Sequence, residues 1–233
     1  MLNIIITGAS KGMGKAMAEI FAAQNNTLFI CARNEKELEA TANEIRKNYS
    51  NCTIYTKAVD LSNKQEVLDF AKFCLDIATP NILINNAGQF IPGSIHAEDD
   101  ETLFKMMTTN LYSAYYLTKA LLPKMMKNKS GHIFNVCSVA AIKAYSNGGS
   151  YGISKYAMLG FNNNLREELK PYGIKVTAVH PGATYTSSWE GSGLKKSRFL
   201  EAEDIAQMVF SCSQLSANAV VEEILIRPQE GDI

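Results

Sequence analysis

Ile4-Ile5-Ile6-Thr7-Gly8-Ala9-Ser10-Lys11-Gly12-Met13-Gly14 lies near the start of the chain and decides how the rest is read. A β-branched apolar run meets three glycines, and Met17, Ile20 and Phe21 then recur at helical spacing, so the order is strand, glycine turn, helix. Glycines let the backbone approach a pyrophosphate closely. The free N–H groups and the dipole of the following helix favour its negative charge. A tight corner without a ligand needs the same turn, so the surrounding pattern has to discriminate.

Outward from this turn, short β-rich runs alternate with longer helical ones. Strands are expected at Leu2–Thr7, Thr27–Ala32, Thr53–Asp60, Ile82–Asn85, His132–Ser138, Lys175–His180 and Val220–Arg227, and helices at about 12–24, 35–48, 64–78, 100–127, 151–170 and 203–215. Asn34 with Glu37, and Ser62 with Gln65, have the spacing of capping boxes at the second and third helices. Alternation of this kind gives a parallel sheet covered on both faces. The expected fold is a single Rossmann-like, doubly wound α/β domain over residues 1–233, with a seven-stranded sheet. The longest irregular stretch, about 182–202, is a candidate functional loop.

Composition narrows the function classes. The 233 residues carry 23 Lys+Arg against 23 Asp+Glu, so the formal net charge is 0, and 46% are hydrophobic. That balance excludes a disordered chain and offers no general attraction to nucleic acid or to an anionic membrane. Cys31, Cys52, Cys74, Cys137 and Cys212 are odd in number and contain no CxxC pair, so neither a disulfide framework nor a metal cage is expected and a reducing, cytoplasmic setting fits. Cys137 reads as a buried strand residue. The first apolar run reaches Gly8 too soon for a signal segment or a membrane span, so export and anchoring are not expected.

The turn spacing Gly-xxx-Gly-x-Gly resembles the classical short-chain dehydrogenase/reductase family, and the rest of the chain repeats that family's pattern in order. Asn85-Asn86-Ala87-Gly88 follows the fourth strand, Asn110 lies in the next helix, and Ser138 ends the fifth strand. Tyr151-Gly152-Ile153-Ser154-Lys155 opens the following helix, and Pro181-Gly182 follows the sixth strand. A spacing of four puts Tyr151 and Lys155 on one helical face. Alone, that pair would read as a buried Tyr beside a solvated Lys; with Ser138 it implies catalysis. Tyr151 is then the proton donor to a carbonyl oxygen, its pKa of about 10 lowered by the nearby ammonium. Lys155 holds the nicotinamide ribose, Ser138 stabilises the developing alkoxide, and Asn110 positions a water chain that resupplies the proton. Apart from the resemblance, Asn110 is one polar residue in an apolar helix.

The cofactor set implied is Gly8, Ser10, Lys11, Gly12, Met13 and Gly14 in the turn, and Asn86, Ala87 and Gly88 as a wall. Tyr151, Lys155, Pro181, Gly182, Thr184 and Thr186 complete it around the nicotinamide. Asp60 and Leu61 resemble the adenine-contacting pair, although Asp60 equally reads as the start of the turn to Ser62. An acid about 20 positions after the glycines would select NAD by its ribose contact. Arg33 stands there instead, no Asp or Glu occupies 31–34, and Lys11 adds a second cation. Two cations suit a 2′-phosphate, so NADP(H) is the expected cofactor.

The implied activity is NADPH-dependent reduction of a ketone or aldehyde, 3-oxoacyl-type compounds included. The alternatives are an NAD-dependent alcohol dehydrogenase and a dinucleotide sensor without turnover. Ala140, Ala141 and Tyr145 are expected on the substrate side. Trp189 reads either as a pocket wall or as an anchor for its own loop. The cluster Lys195, Lys196 and Arg198 reads as a solvated face or as an attraction for an acidic carrier. Leu111, Tyr115, Leu122, Leu159 and Phe161 are compatible with a homodimer through two helices, while the tail Arg227–Ile233 lacks the family's frequent glycines and weakens the case for a tetramer.

Overall fold

The computed structural model describes residues 1–186 and 193–233. Seven strands run as β1 (Asn3–Thr7), β2 (Thr27–Ala32), β3 (Thr53–Ala58), β4 (Ile82–Asn85), β5 (Gly131–Val136), β6 (Ile174–Pro181) and β7 (Glu223–Ile226). All neighbours are parallel, in the order β3-β2-β1-β4-β5-β6-β7. The helices are α1 (Gly12–Ala22), α2 (Glu35–Asn48), α3 (Lys64–Ile77), α4 (Thr102–Met107), α5 (Ser113–Asn128), α6 (Gly149–Leu169) and α7 (Ala202–Ser213). This is the expected doubly wound architecture.

Alternation along the strands divides the core into two layers. Ile4 and Ile6 of β1 join Leu28, Ile30 and Phe134 against α1, α2 and α7, whereas Ile5 joins Phe29, Leu83 and Ile133 against α3, α5 and the end of α6. The three isoleucines are fully buried. Each contributes about 1.5–3 kcal/mol, which is why a continuous apolar run, and not an alternating one, marks this strand.

The structure differs from the sequence reading in several details; β3 and β5 end at Ala58 and Val136, short of Asp60 and Ser138, and four others follow. The helix expected over 100–127 is divided: a π-helical turn, Thr108–Tyr112, separates α4 from α5, and it carries Asn110. The third helix is capped by Asn63, whose side chain accepts from the N–H groups of Gln65 and Glu66; Ser62 is not the cap, because its own N–H and hydroxyl donate to Asp60. The second cap, Asn34 accepting from Glu37, is as expected. The last strand is shorter than Val220–Arg227, pairing with β6 over Glu223–Ile226 alone. The sixth helix begins earlier, at Gly149. Among the described residues no helix is long and apolar enough to cross a membrane, and no group of three or more His, Cys, Asp or Glu could hold a metal ion.

Candidate active site

Two adjoining cavities open at the C-terminal ends of the strands, where β1 and β4 meet and the strand order reverses. The larger, about 800 Å³, is walled by Gly8, Ser10, Lys11, Gly12, Met13, Gly14, Arg33, Asp60, Leu61, Asn86, Ala87 and Gly88. The smaller, about 350 Å³, is lined by Ser138, Tyr151, Lys155, Pro181, Gly182 and Thr184. Met13, Asn86, Gly88, Gln89 and Thr186 belong to both and mark the seam.

The glycine turn packs directly against the protein's own backbone. Gly8 has φ +66°, and a Cβ there would lie 2.9 Å from the Ala87 Cα. A Cβ on Gly14 would stand 2.2 Å from the Gly8 carbonyl oxygen, so the first turn of α1 closes only around a bare backbone. The turn is held from below. Thr7 Oγ1 accepts from the N–H groups of Asn86 and Ala87, each at 3.0 Å, and Asn86 Nδ2 donates to the carbonyls of Thr7 (2.8 Å) and Gly8 (3.1 Å). From the side, Thr41 of α2 donates to the Ser10 carbonyl at 2.7 Å.

The first three helices sort by what meets their N-termini. α2 and α3 have Asn caps and acids in the first turn. α1 has neither a side-chain cap nor an acid there, and its first N–H groups adjoin the large cavity beside Lys11 and Arg33. Uncapped donors, a helix dipole and two cations form a donor set that fits a dinucleotide with an additional phosphate. Asp60 lines this cleft, and Ser62 donates to its carboxylate, as the turn reading expected. Those hydrogen bonds, with the Arg33 charge nearby, hold its pKa below the ordinary value.

At the second cavity, Ser138 caps the short 3-10 turn Val139–Ala141, and α6 brings Tyr151 and Lys155 to the same wall. Lys155 is buried, its Nζ donates to the Val136 carbonyl at 2.9 Å, and burial pushes its pKa down to about 8. The Tyr151 phenol is raised above 10, not lowered: burial outweighs the opposing pull of the Ser138 hydroxyl hydrogen-bonded to it. The lowering expected from Lys155 is not found; its ammonium lies over the ring, 5.7 Å from the centroid, and is engaged with Val136. Phe90 packs edge-on against Tyr151 with centroids 4.9 Å apart.

Asn110 is buried behind the cavity and lines neither wall. Its Oδ1 accepts from the Gln89 N–H (2.8 Å) while its Nδ2 donates to the Gln89 carbonyl (3.0 Å) and to Ser154 Oγ (2.9 Å). It therefore pins the backbone just past Gly88. A Cβ at Gly88 would meet Asn110 Oδ1 at 3.3 Å and Lys155 Nζ at 3.4 Å, which measures how closely the three gather.

On the substrate side, Tyr145 lines the smaller cavity, but Ala140 and Ala141 are buried within the 3-10 turn and do not line it. Val139, Lys143, Gln89, Phe90, Asp232 and Ile233 line it instead and were not foreseen. Phe90, a large apolar residue in a polar loop, carried a faint signal; Asp232 and Ile233 carried none. Trp189 lies outside the described residues. In the basic cluster, Lys196 pairs with Glu201 (3.6 Å) and Arg198 with Glu230 (3.1 Å), which favours the solvated-face reading.

The sequence pattern of the short chain dehydrogenase family matches residues 2–197. The sepiapterin reductase of Chlorobaculum tepidum is 32% identical over 239 aligned positions, which cover 99% of this chain and 97% of that protein. A metagenomic short-chain oxidoreductase solved in complex with NADP is 27% identical with a TM-score of 0.85, covering 98% of this chain and 97% of that one. The alcohol dehydrogenase of the archaeon Thermococcus sibiricus, complexed with 5-hydroxy-NADP, is 25% identical with a TM-score of 0.91 over 98% of this chain and 97% of its own.

Proposed function

The chain belongs to the short-chain dehydrogenase family and is an NAD(P)-dependent oxidoreductase, and from that premise we propose that it reduces a ketone or aldehyde to the alcohol with NADPH. The observation that carries this reading is the convergence of Tyr151, Ser138 and Lys155 on a cavity continuous with a cleft whose far end holds Lys11 and Arg33.

The uncapped start of α1 would hold the pyrophosphate, Lys11 and Arg33 the 2′-phosphate, and Asp60 and Leu61 would flank the adenine. Asn86, Ala87 and Gly88 wall the cleft, Lys155 would hold the nicotinamide ribose, and Pro181, Gly182, Thr184 and Thr186 would border the carboxamide. When bound, the reduced nicotinamide supplies a hydride to the carbonyl carbon. Tyr151 gives its phenolic proton to the carbonyl oxygen. A phenol raised by burial is protonated throughout the neutral range, which supports the reductive direction. Ser138 donates a hydrogen bond where negative charge develops. Asn110 fixes the Gly88–Gln89 backbone beside the Lys155 ammonium, and on that adjacency rests its role in returning a proton.

The NAD-dependent oxidative reading is disfavoured by Arg33 and by the lack of an acid at 31–34, and a sensor without turnover would have no use for the joined Tyr151, Ser138 and Lys155. Phe90 and Tyr145 give the substrate cavity aromatic walls, which supports a planar carbonyl substrate. Sepiapterin, named for the 32%-identical relative, belongs in the first panel alongside 3-oxoacyl compounds.

The test is titration with NADPH and NADH side by side, repeated with Arg33→Ala, followed by NADPH consumption on that panel. NADPH is expected to bind at least about tenfold tighter, ~1.4 kcal/mol, and the variant to lose that margin. NADH binding as well or better removes the phosphate site and makes the oxidative dehydrogenase the leading account.

A homodimer is part of this reading. Tyr112 and Tyr115 around α5, and Ile153 and Tyr156 of α6, are exposed large apolar side chains, which supports pairing through these helices. Light scattering is expected to give the mass of two subunits, and one or four would reject it.

A further inference from the structure

We infer that Glu98, in the loop between β4 and α4, is a positioning residue for Tyr151: it caps the N-terminus of α6 from outside that helix and fixes the helix against the loop that carries Phe90. The inference rests on Tyr151 being the proton donor.

α6 begins without a cap of its own. Gly148 at its N-cap offers no side chain, and no acid occupies its first turn. A helix start leaves N–H groups without intrahelical acceptors and favours negative charge beside it. Glu98 supplies both. Its Oε2 accepts the Ser150 backbone N–H at 3.3 Å, and its Oε1 accepts the Ser150 hydroxyl. Ser150 is 1% exposed, so without Glu98 two buried donors lose these partners one residue before Tyr151.

The fit around this contact is close. Gly149 has φ +22°, and a Cβ there would meet the Gly93 carbonyl oxygen at 2.5 Å and Glu98 Oε2 at 2.7 Å. Two further bonds close the same seam: the Gly93 N–H donates to the Asn147 carbonyl (3.2 Å) and Ser94 Oγ to Asn147 Oδ1 (2.7 Å). Upstream, the same loop begins at Gln89, pinned by Asn110, and places Phe90 on the Tyr151 ring. Displacing a proton donor by about 1 Å costs up to about 100-fold in rate.

Glu98→Ala is therefore expected to lower kcat/KM for the carbonyl by about 10- to 100-fold. NADPH affinity should change by less than about threefold, since Lys11, Gly12 and Arg33 at the phosphate end of the cleft lie on other elements. Glu98→Gln is expected to restore most of the activity, because its carbonyl can accept the Ser150 N–H while its amide donates to the Ser150 hydroxyl. Ser94→Ala removes a neighbouring bond of the same seam and serves as the stability control. Amide exchange over residues 150–153 gives a readout free of any assumed activity: faster in Glu98→Ala, near wild type in Glu98→Gln. The proposal is overturned if Glu98→Ala keeps its activity, if Gln fails to rescue, or if Ser94→Ala loses as much activity at an equal loss of melting temperature. If the exchange pattern holds while the wild type reduces no carbonyl, the cap stands and the reductase reading fails.

Discussion

Tyr151→Phe is expected to lower kcat for carbonyl reduction by about 10²–10⁴-fold, the range associated with losing a positioned general acid. The substitution removes one oxygen and keeps the ring that meets Phe90 and lies under the Lys155 ammonium, so packing is retained. The Ser138 hydroxyl remains and can still polarise the carbonyl, but the proton must then come from water. NADPH affinity should change by less than about threefold, since Lys11 and Arg33, the residues proposed for the phosphate, line the other cavity. Single-turnover kinetics with NADPH in excess separates the two quantities. A variant within tenfold of the wild-type rate would remove Tyr151 as the donor. The pH profile adds a second check. The Tyr151 phenol lies above 10 and so stays protonated as pH rises through neutrality, whereas the Lys155 ammonium, at about 8, is lost first. A fall in kcat/KM near pH 8 therefore reports Lys155 and not Tyr151.

Lys155→Met should inactivate the enzyme and stabilise the chain. The lysine is 4% exposed, and among the described residues its one hydrogen-bond acceptor is the Val136 carbonyl. Its pKa falls from 10.5 to about 8 on folding, so between these values the folded chain binds fewer protons than the unfolded one. Stability then rises with pH across that window, and the full cost of the buried charge is present below pH 8. At about 1.36 kcal/mol per unit that cost is ~3 kcal/mol, and leaving the Val136 carbonyl unpaired returns about 1. Urea unfolding at pH 7 is expected to show Lys155→Met more stable by roughly 2 kcal/mol, with the alkaline rise flattened. A less stable variant, or one with the wild-type pH slope, would refute the account. Stability given up at a functional position is a common exchange in enzymes.

Local spacing made most of this legible. The glycines from Gly8 to Gly14 and the pair Tyr151 and Lys155 are short-range patterns, and the helix and strand periods that place them are local too. What stayed hidden depends on contacts between distant segments. Glu98 meets Ser150 across 52 positions, and Asp232 reaches the cavity from the far end of the sequence. Neither has a periodic signature. The π turn at Asn110 was invisible because apolar spacing does not distinguish an inserted residue from a continuous helix. Ser62 and Asn63 are both capable caps, and the choice fell to Asn63 once Asp60 had captured Ser62.

The sheet order has a kinetic consequence. β1 lies between β2 and β4, and Asn86 binds Thr7 across 79 positions, so the glycine turn acquires its floor only after about a third of the chain has been brought together. Ser138 and Lys155 follow later still, and no hairpin shortens the path because every strand pair is parallel. Contacts of such long sequence separation form slowly, since loop closure precedes the burial that rewards it. The larger cavity thus waits on the pairing of β1 with β4, and dinucleotide capture becomes a timer of folding: a refolding chain gains the ability to bind only once that pairing has formed.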